Sequence, residues 1–107
     1  MIIGITKEDK DHGVMSNPDR CPIALAGSRF FRRPCKVWAD VFEVIGPGGG
    51  VLYSFKLPKA VEDAIAEYDL HGVMTINAVE LPYEDDARIK ELIRGRIGTN
   101  AKLEVFG

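Results

Sequence analysis

The sequence predicts a single α+β domain: one mixed, mainly antiparallel sheet of about four to five strands with helices packed on one face. Three observations lead there. Residues 51–57 alternate, with Val51, Tyr53, Phe55 and Leu57 set against Leu52, Ser54 and Lys56, the period of a strand with one buried side. From Pro58 onward, Val61, Ala64, Ile65 and Tyr68 recur at helical spacing, with Lys59, Glu62, Asp63 and Glu67 opposite. The length, 107 residues, suits one core, so the domain is read as 1–107.

Along the chain, the β-branched Ile2, Ile3 and Ile5 predict a strand over 2–5. Thr6-Lys7-Glu8-Asp9 starts a helix: a hydroxyl to accept an orphan N–H, then acids at the positive end of the helix dipole. Gly13 ends it. A second helix opens at Pro22 with Cys21 as its cap, since proline is tolerated in a first turn. It runs to Phe30 or Phe31, and Pro34 closes it. Cys35 to Ile45 reads as one long strand, with Val37, Ala39, Val41 and Ile45 on one face and Trp38, Phe42 and Val44 on the other. The glycine-rich turn Gly46–Gly50 joins it to 51–57 as an antiparallel hairpin. The helix from Pro58 ends at Gly72. A strand over 73–81 follows and stops at Pro82. A short helix led by Asp85-Asp86, with Ile89, Leu92 and Ile93 inward, precedes a last strand carrying Leu103, Val105 and Phe106.

Composition narrows the function. Hydrophobic residues make 46% and charged residues 28% of the chain, the balance of a globular protein. A net charge of −2 is too weak to draw nucleic acid by bulk attraction. No apolar run is long enough for a membrane span or a secretory signal. The two cysteines, Cys21 and Cys35, form no C-x-x-C pair and have no histidine at ligand spacing. No metal and no cofactor is expected. Asp9 to Gly13 lacks the glycine and glutamate positions of a calcium loop, and Glu84-Asp85-Asp86 reads as acids leading a helix.

Two segments invite chemistry. Arg29-Phe30-Phe31-Arg32-Arg33, with Arg20 nearby, is the concentrated basic stretch. Guanidinium groups fork onto phosphates and aromatic rings stack on bases, so these six residues are the candidate ligand-binding set. The alternative is a helix end whose arginines meet the dipole while the phenylalanines enter the core. Cys21 is the candidate reactive thiol, because a helix N-terminus and Arg20 both favour thiolate, with His12 as the nearest base. The alternative is a small apolar plug. The apolar set Trp38, Phe42 and Val44 would need a second cover if helices pack on one face only. A homodimer would supply it.

Thr6-Lys7-Glu8-Asp9, Gly13 and Cys21-Pro22-Ile23-Ala24-Leu25-Ala26 resemble the opening of small, mostly uncharacterised bacteriophage proteins. Those pair a T-x-E-D-x-x-x-G start with a C-P-x-A-x-A helix. The resemblance implies a viral accessory protein in a bacterial host cytoplasm. With no catalytic constellation in the spacing, the expected function is non-catalytic binding, of a host protein or of a phosphorylated small molecule such as a nucleotide. A Cys21 thiol enzyme and a nucleic-acid binder using Arg29–Arg33 are the alternatives.

Overall fold

The computed structural model describes residues 1–81. In order these form β1 (Ile2–Gly4), α1 (Lys7–His12), α2 (Pro22–Phe31), β2 (Cys35–Val37), β3 (Val41–Ile45), β4 (Val51–Lys56), α3 (Lys59–His71) and β5 (Ala78–Glu80). The α+β class holds. The expected helix after Asp85-Asp86 and the strand at Leu103–Phe106 lie outside the described residues.

The strands divide into two sheets rather than one. β1 pairs antiparallel with β5, Ile3 opposite Val79. β2, β3 and β4 form an antiparallel three-stranded sheet in that order. The first sheet is tied beyond its strands: Ile5 N–H donates to Asn77 O at 2.8 Å, and Leu81 N–H to Met1 O at 2.7 Å.

Helix α2 joins the two sheets. It lies against β1 on one side and β2 and β3 on the other, and α1 also rests on it. Pro22, Ile23, Ala24, Ala26, Gly27 and Phe31 are all buried. Small residues let the backbones approach. At Gly27 an added Cβ would lie 2.3 Å from Phe42 Cζ and 2.7 Å from its Cε2. Phe42 is itself fully buried and has nowhere to go. Gly27→Ala is therefore expected to destabilise by about 1–3 kcal/mol through overpacking, although alanine is the better helix former. A urea midpoint equal to or above that of the wild type would contradict this.

The ends of the helices follow their caps. Thr6 Oγ1 accepts from Asp9 N–H at 3.1 Å while Asp9 Oδ2 accepts from Thr6 N–H at 2.8 Å, a reciprocal capping box. Cys21 caps α2, its Sγ accepting from Ala24 N–H at 3.4 Å. α3 ends at Gly72, whose φ of 74° is left-handed and whose N–H donates to Tyr68 O at 2.7 Å. Gly13 follows α1 but is not left-handed. It is needed for space: a Cβ there would meet Pro22 Cγ at 2.6 Å and the Tyr68 hydroxyl at 2.8 Å.

The long strand expected over Cys35 to Ile45 is broken. β2 and β3 are a hairpin turning at Trp38–Asp40, closed by Trp38 N–H to Val41 O at 2.8 Å. Cys35 faces Val44, and Val37 faces Phe42. This undoes the expected face on which homodimerisation rested. Phe42 and Val44 are fully buried within the chain, and of that trio Trp38 alone is exposed. The alternation of β4 places Tyr53 and Phe55 inward, with Leu57 just beyond. The buried stripe of α3, Val61, Ala64, Ile65 and Tyr68, belongs to the same core cluster.

Candidate functional site

The basic segment is taken apart by the fold. Phe31 is 1% exposed and sits among Phe30, Phe42 and Phe55 with ring centroids 4.9–6.3 Å away. It has no face left for a ligand. Phe30 is partly buried and packs on the core. Arg29 Nη1 donates to both Asp9 oxygens, at 2.7 and 2.8 Å, and Nη2 to Gly4 O at 2.9 Å. These bonds stitch α2 to the start of α1 and to the end of β1.

The other arginines are not brought together. Arg20 precedes α2, whereas Arg32 and Arg33 follow it. A ten-residue helix spans about 15 Å, so Arg20 is remote from the pair. Arg32 is the C-cap of α2 in a left-handed conformation, φ 54°. Both it and Arg33 stand at the negative end of the helix dipole, which favours their charge but repels an anion. Arg33 Nε is buried with no hydrogen-bond partner among the described residues.

The Cys21 thiol is in a protective setting. Cys21 is 5% exposed. Burial pushes its pKa up, outweighing the Ala24 N–H that pulls it down. Burial pushes Cys35 up to about 12, against a smaller opposing effect of the Ser28 hydroxyl. Both stay protonated at neutral pH, and the thiolate is the reactive form. In a native-state assay with a disulfide reagent at neutral pH, neither cysteine should label at an appreciable rate, and both should label after unfolding. Rapid native labelling of Cys21 would reinstate a thiol mechanism.

The glycine loop closes on itself. Gly46 N–H donates to Gly50 O at 2.8 Å and Gly49 N–H to Gly46 O at 3.0 Å, so these donors are not offered to a phosphate. Among the described residues, no group of three or more metal-ligating side chains is gathered. No helix there is long and apolar enough to cross a membrane.

The described residues form surface depressions, of which two bear on function. One, of about 430 Å³, lies over Thr6, Glu8, Asp9, His12, Leu25 and Arg29. Its central charges, Asp9 and Arg29, already satisfy each other. The second, of about 420 Å³, lies where the start of α2, the β2–β3 turn and α3 meet, and includes Cys21, Trp38, Ile65 and Asp69. The chain matches no family model, no curated protein and no solved structure.

The walls of the second depression are tied to one another by hydrogen bonds. Ser16, left-handed at φ 53°, donates its N–H to Asp69 Oδ1 on α3 at 2.9 Å. Pro18 O accepts from Val37 N–H at 2.9 Å, and Asn17 O from Cys21 N–H at 3.0 Å. One loop is thus pinned to α3, to β2 and to α2. Trp38 is 46% exposed, yet its Nε1–H is held by Glu43 Oε1 at 2.7 Å. The sequence marked Trp38 only as a sheet-face residue. Ser16, Asn17, Pro18, Glu62 and Asp69 carried no functional signal, because the depression is assembled from segments distant in sequence.

Proposed function

We propose that this chain is a non-catalytic binding protein of the bacteriophage accessory kind, engaging a host protein in the bacterial cytoplasm. The observation that carries the reading is the depression beside Trp38. It joins an anchored, half-exposed indole to walls already fixed by hydrogen bonds, and preorganised surfaces lose less entropy on binding. Tryptophan is enriched among residues that dominate interface energies. The volume falls in the range usual for ligand sites. The phage setting is supported by the resemblance of residues 6–26.

A second reading, binding of a phosphorylated small molecule, is favoured by one observation, the buried and unpartnered Arg33 Nε. Arg20 is too far away to share that site, and Arg29 and Phe31 are engaged elsewhere.

One paired experiment separates the two. The full chain and its Trp38→Ala variant are immobilised and exposed to bacterial lysate. In parallel, both are heated with nucleotides and cyclic dinucleotides, since a ligand specific to the native state raises Tm. The expected result is a partner retained by the wild-type chain and lost with Trp38→Ala, with no thermal shift from any nucleotide. A nucleotide that raises Tm, with the rise abolished by Arg33→Ala, would replace the host-protein reading with the second.

A further inference from the structure

We infer that the depression beside Trp38 receives an arginine side chain presented by a partner protein. The inference rests on the binding reading above and specifies its chemistry. The lining residues carry two charges, Glu62 and Asp69, both negative, and no lysine, arginine or histidine. Asp69 uses Oδ1 for Ser16 N–H, and its second oxygen has no hydrogen-bond partner among the described residues. On α3, Lys59 pairs with Asp63 at 2.7 Å and the Glu62 charge acts on it more weakly, while Glu62 itself makes no salt bridge among the described residues.

The remaining lining fits the rest of the side chain. Pro18, Val37, Ala39, Ile65 and Ala66 offer apolar surface for a methylene stem while the charged head meets the carboxylates. Trp38 supplies the best ring for a cation–π contact. Arginine is favoured over lysine. Its planar guanidinium both stacks on an indole and forks onto a carboxylate, and it sheds water more readily than an ammonium.

The surroundings decide for a protein rather than a free cation. Met15, next in the chain to Ser16, and Leu70, next to Asp69, are both exposed, as are Val14 and Val73. Gly72 places the Met15 sulfur against the end of α3, 3.2 Å from where its Cβ would be. Apolar surface therefore continues past the acidic depression, and a peptide chain carrying the arginine would cover it.

The test is a selection of displayed random linear peptides on the immobilised full chain. Enriched peptides should share an arginine. Replacing that arginine with citrulline, a neutral near-isostere, should weaken binding at least roughly tenfold. Glu62→Gln should weaken it by a similar factor at unchanged Tm, and Trp38→Ala should weaken it as well. The citrulline arm needs no altered protein, so it stands even if a variant folds poorly. Enriched peptides lacking arginine, or affinity indifferent to citrulline, would overturn the arginine site while leaving the binding reading intact. A selection that enriches nothing also overturns the arginine site, and the lysate capture then decides separately whether the binding reading falls with it.

Discussion

Phe31→Ala should lower the free energy of unfolding by about 3–5 kcal/mol, the range for deleting a fully buried aromatic side chain. The magnitude follows from where the ring lies. It stacks on Phe55 at 6.3 Å with an interplanar angle of 18° and meets Phe42 at 6.0 Å and Phe30 at 4.9 Å. Each such aromatic pair adds about 0.5–1.5 kcal/mol beyond area burial. The void would open where α2 meets the three-stranded sheet, between elements that hold each other and cannot collapse freely. Equilibrium urea unfolding checks it: the midpoint should fall while the slope stays constant. A ligand-stacking ring would behave otherwise. Its removal would leave the free energy of unfolding within about 0.5 kcal/mol of wild type, and that result would return Phe31 to the surface.

Asp9→Ala should destabilise by about 2–3 kcal/mol. Loss of the capping box accounts for about 1 kcal/mol. The rest comes from the two charge-assisted bonds to Arg29, which are stronger than neutral ones. The total stays below the 3–5 kcal/mol typical of breaking a fully buried pair, because the Arg29 side chain is half exposed and water can take it up. Arg29→Ala should cost less than Asp9→Ala, since it spares the capping box. An Asp9→Ala midpoint equal to that of wild type would contradict the account.

The same pair gives a pH dependence of known sign. Burial acts to raise the Asp9 pKa, but the Arg29 bond, the two Thr6 bonds and the Arg29 charge together hold it below its ordinary 3.8. A carboxyl with a depressed native pKa binds its proton more readily in the unfolded chain. Its contribution is therefore complete above pH 3.8 and disappears as pH falls through the lower native value. Wild type should lose this increment in acid, whereas Asp9→Ala should not. The gap between their midpoints should narrow as the pH drops.

Local signals were the ones legible in the sequence. Thr6 followed by Asp9 named the α1 cap, and Cys21-Pro22 placed the start of α2. The apolar stripe from Val61 to Tyr68 named the inner face of α3, and Gly72 its end. Each of these is decided within one or two turns of chain. The break at Trp38–Asp40 was not legible, because apolar alternation runs on through it and no glycine or proline marks the turn. What holds the turn in place includes a long-range bond, Leu57 N–H to Asp40 O at 2.9 Å. The separation into two sheets is likewise non-local, since strand pattern does not say that Ile3 faces Val79.

The candidate site was less legible still. Arginines close in sequence read as one cluster, but a helix between Arg20 and Arg32 sends them to opposite ends. Arg29 faces Asp9, twenty residues earlier, and nothing in the spacing links them. Gly27 stands inside a helix, where glycine ordinarily costs stability, and proves to be the place where α2 meets Phe42. The depression beside Trp38 draws on residues from Ser16 to Asp69, and only the folded chain brings them together.

The binding proposal makes the depression beside Trp38 the surface that a captured partner would touch. Chemical-shift mapping of the ¹⁵N-labelled full chain, titrated with the captured partner, tests it. The largest changes should fall on the Trp38 indole N–H and on the backbone amides of Val37, Ala39, Ile65 and Ala66. Changes centred on Arg20, Arg32 and Arg33, or on the Gly46–Gly50 loop, with Trp38 unmoved, would contradict it.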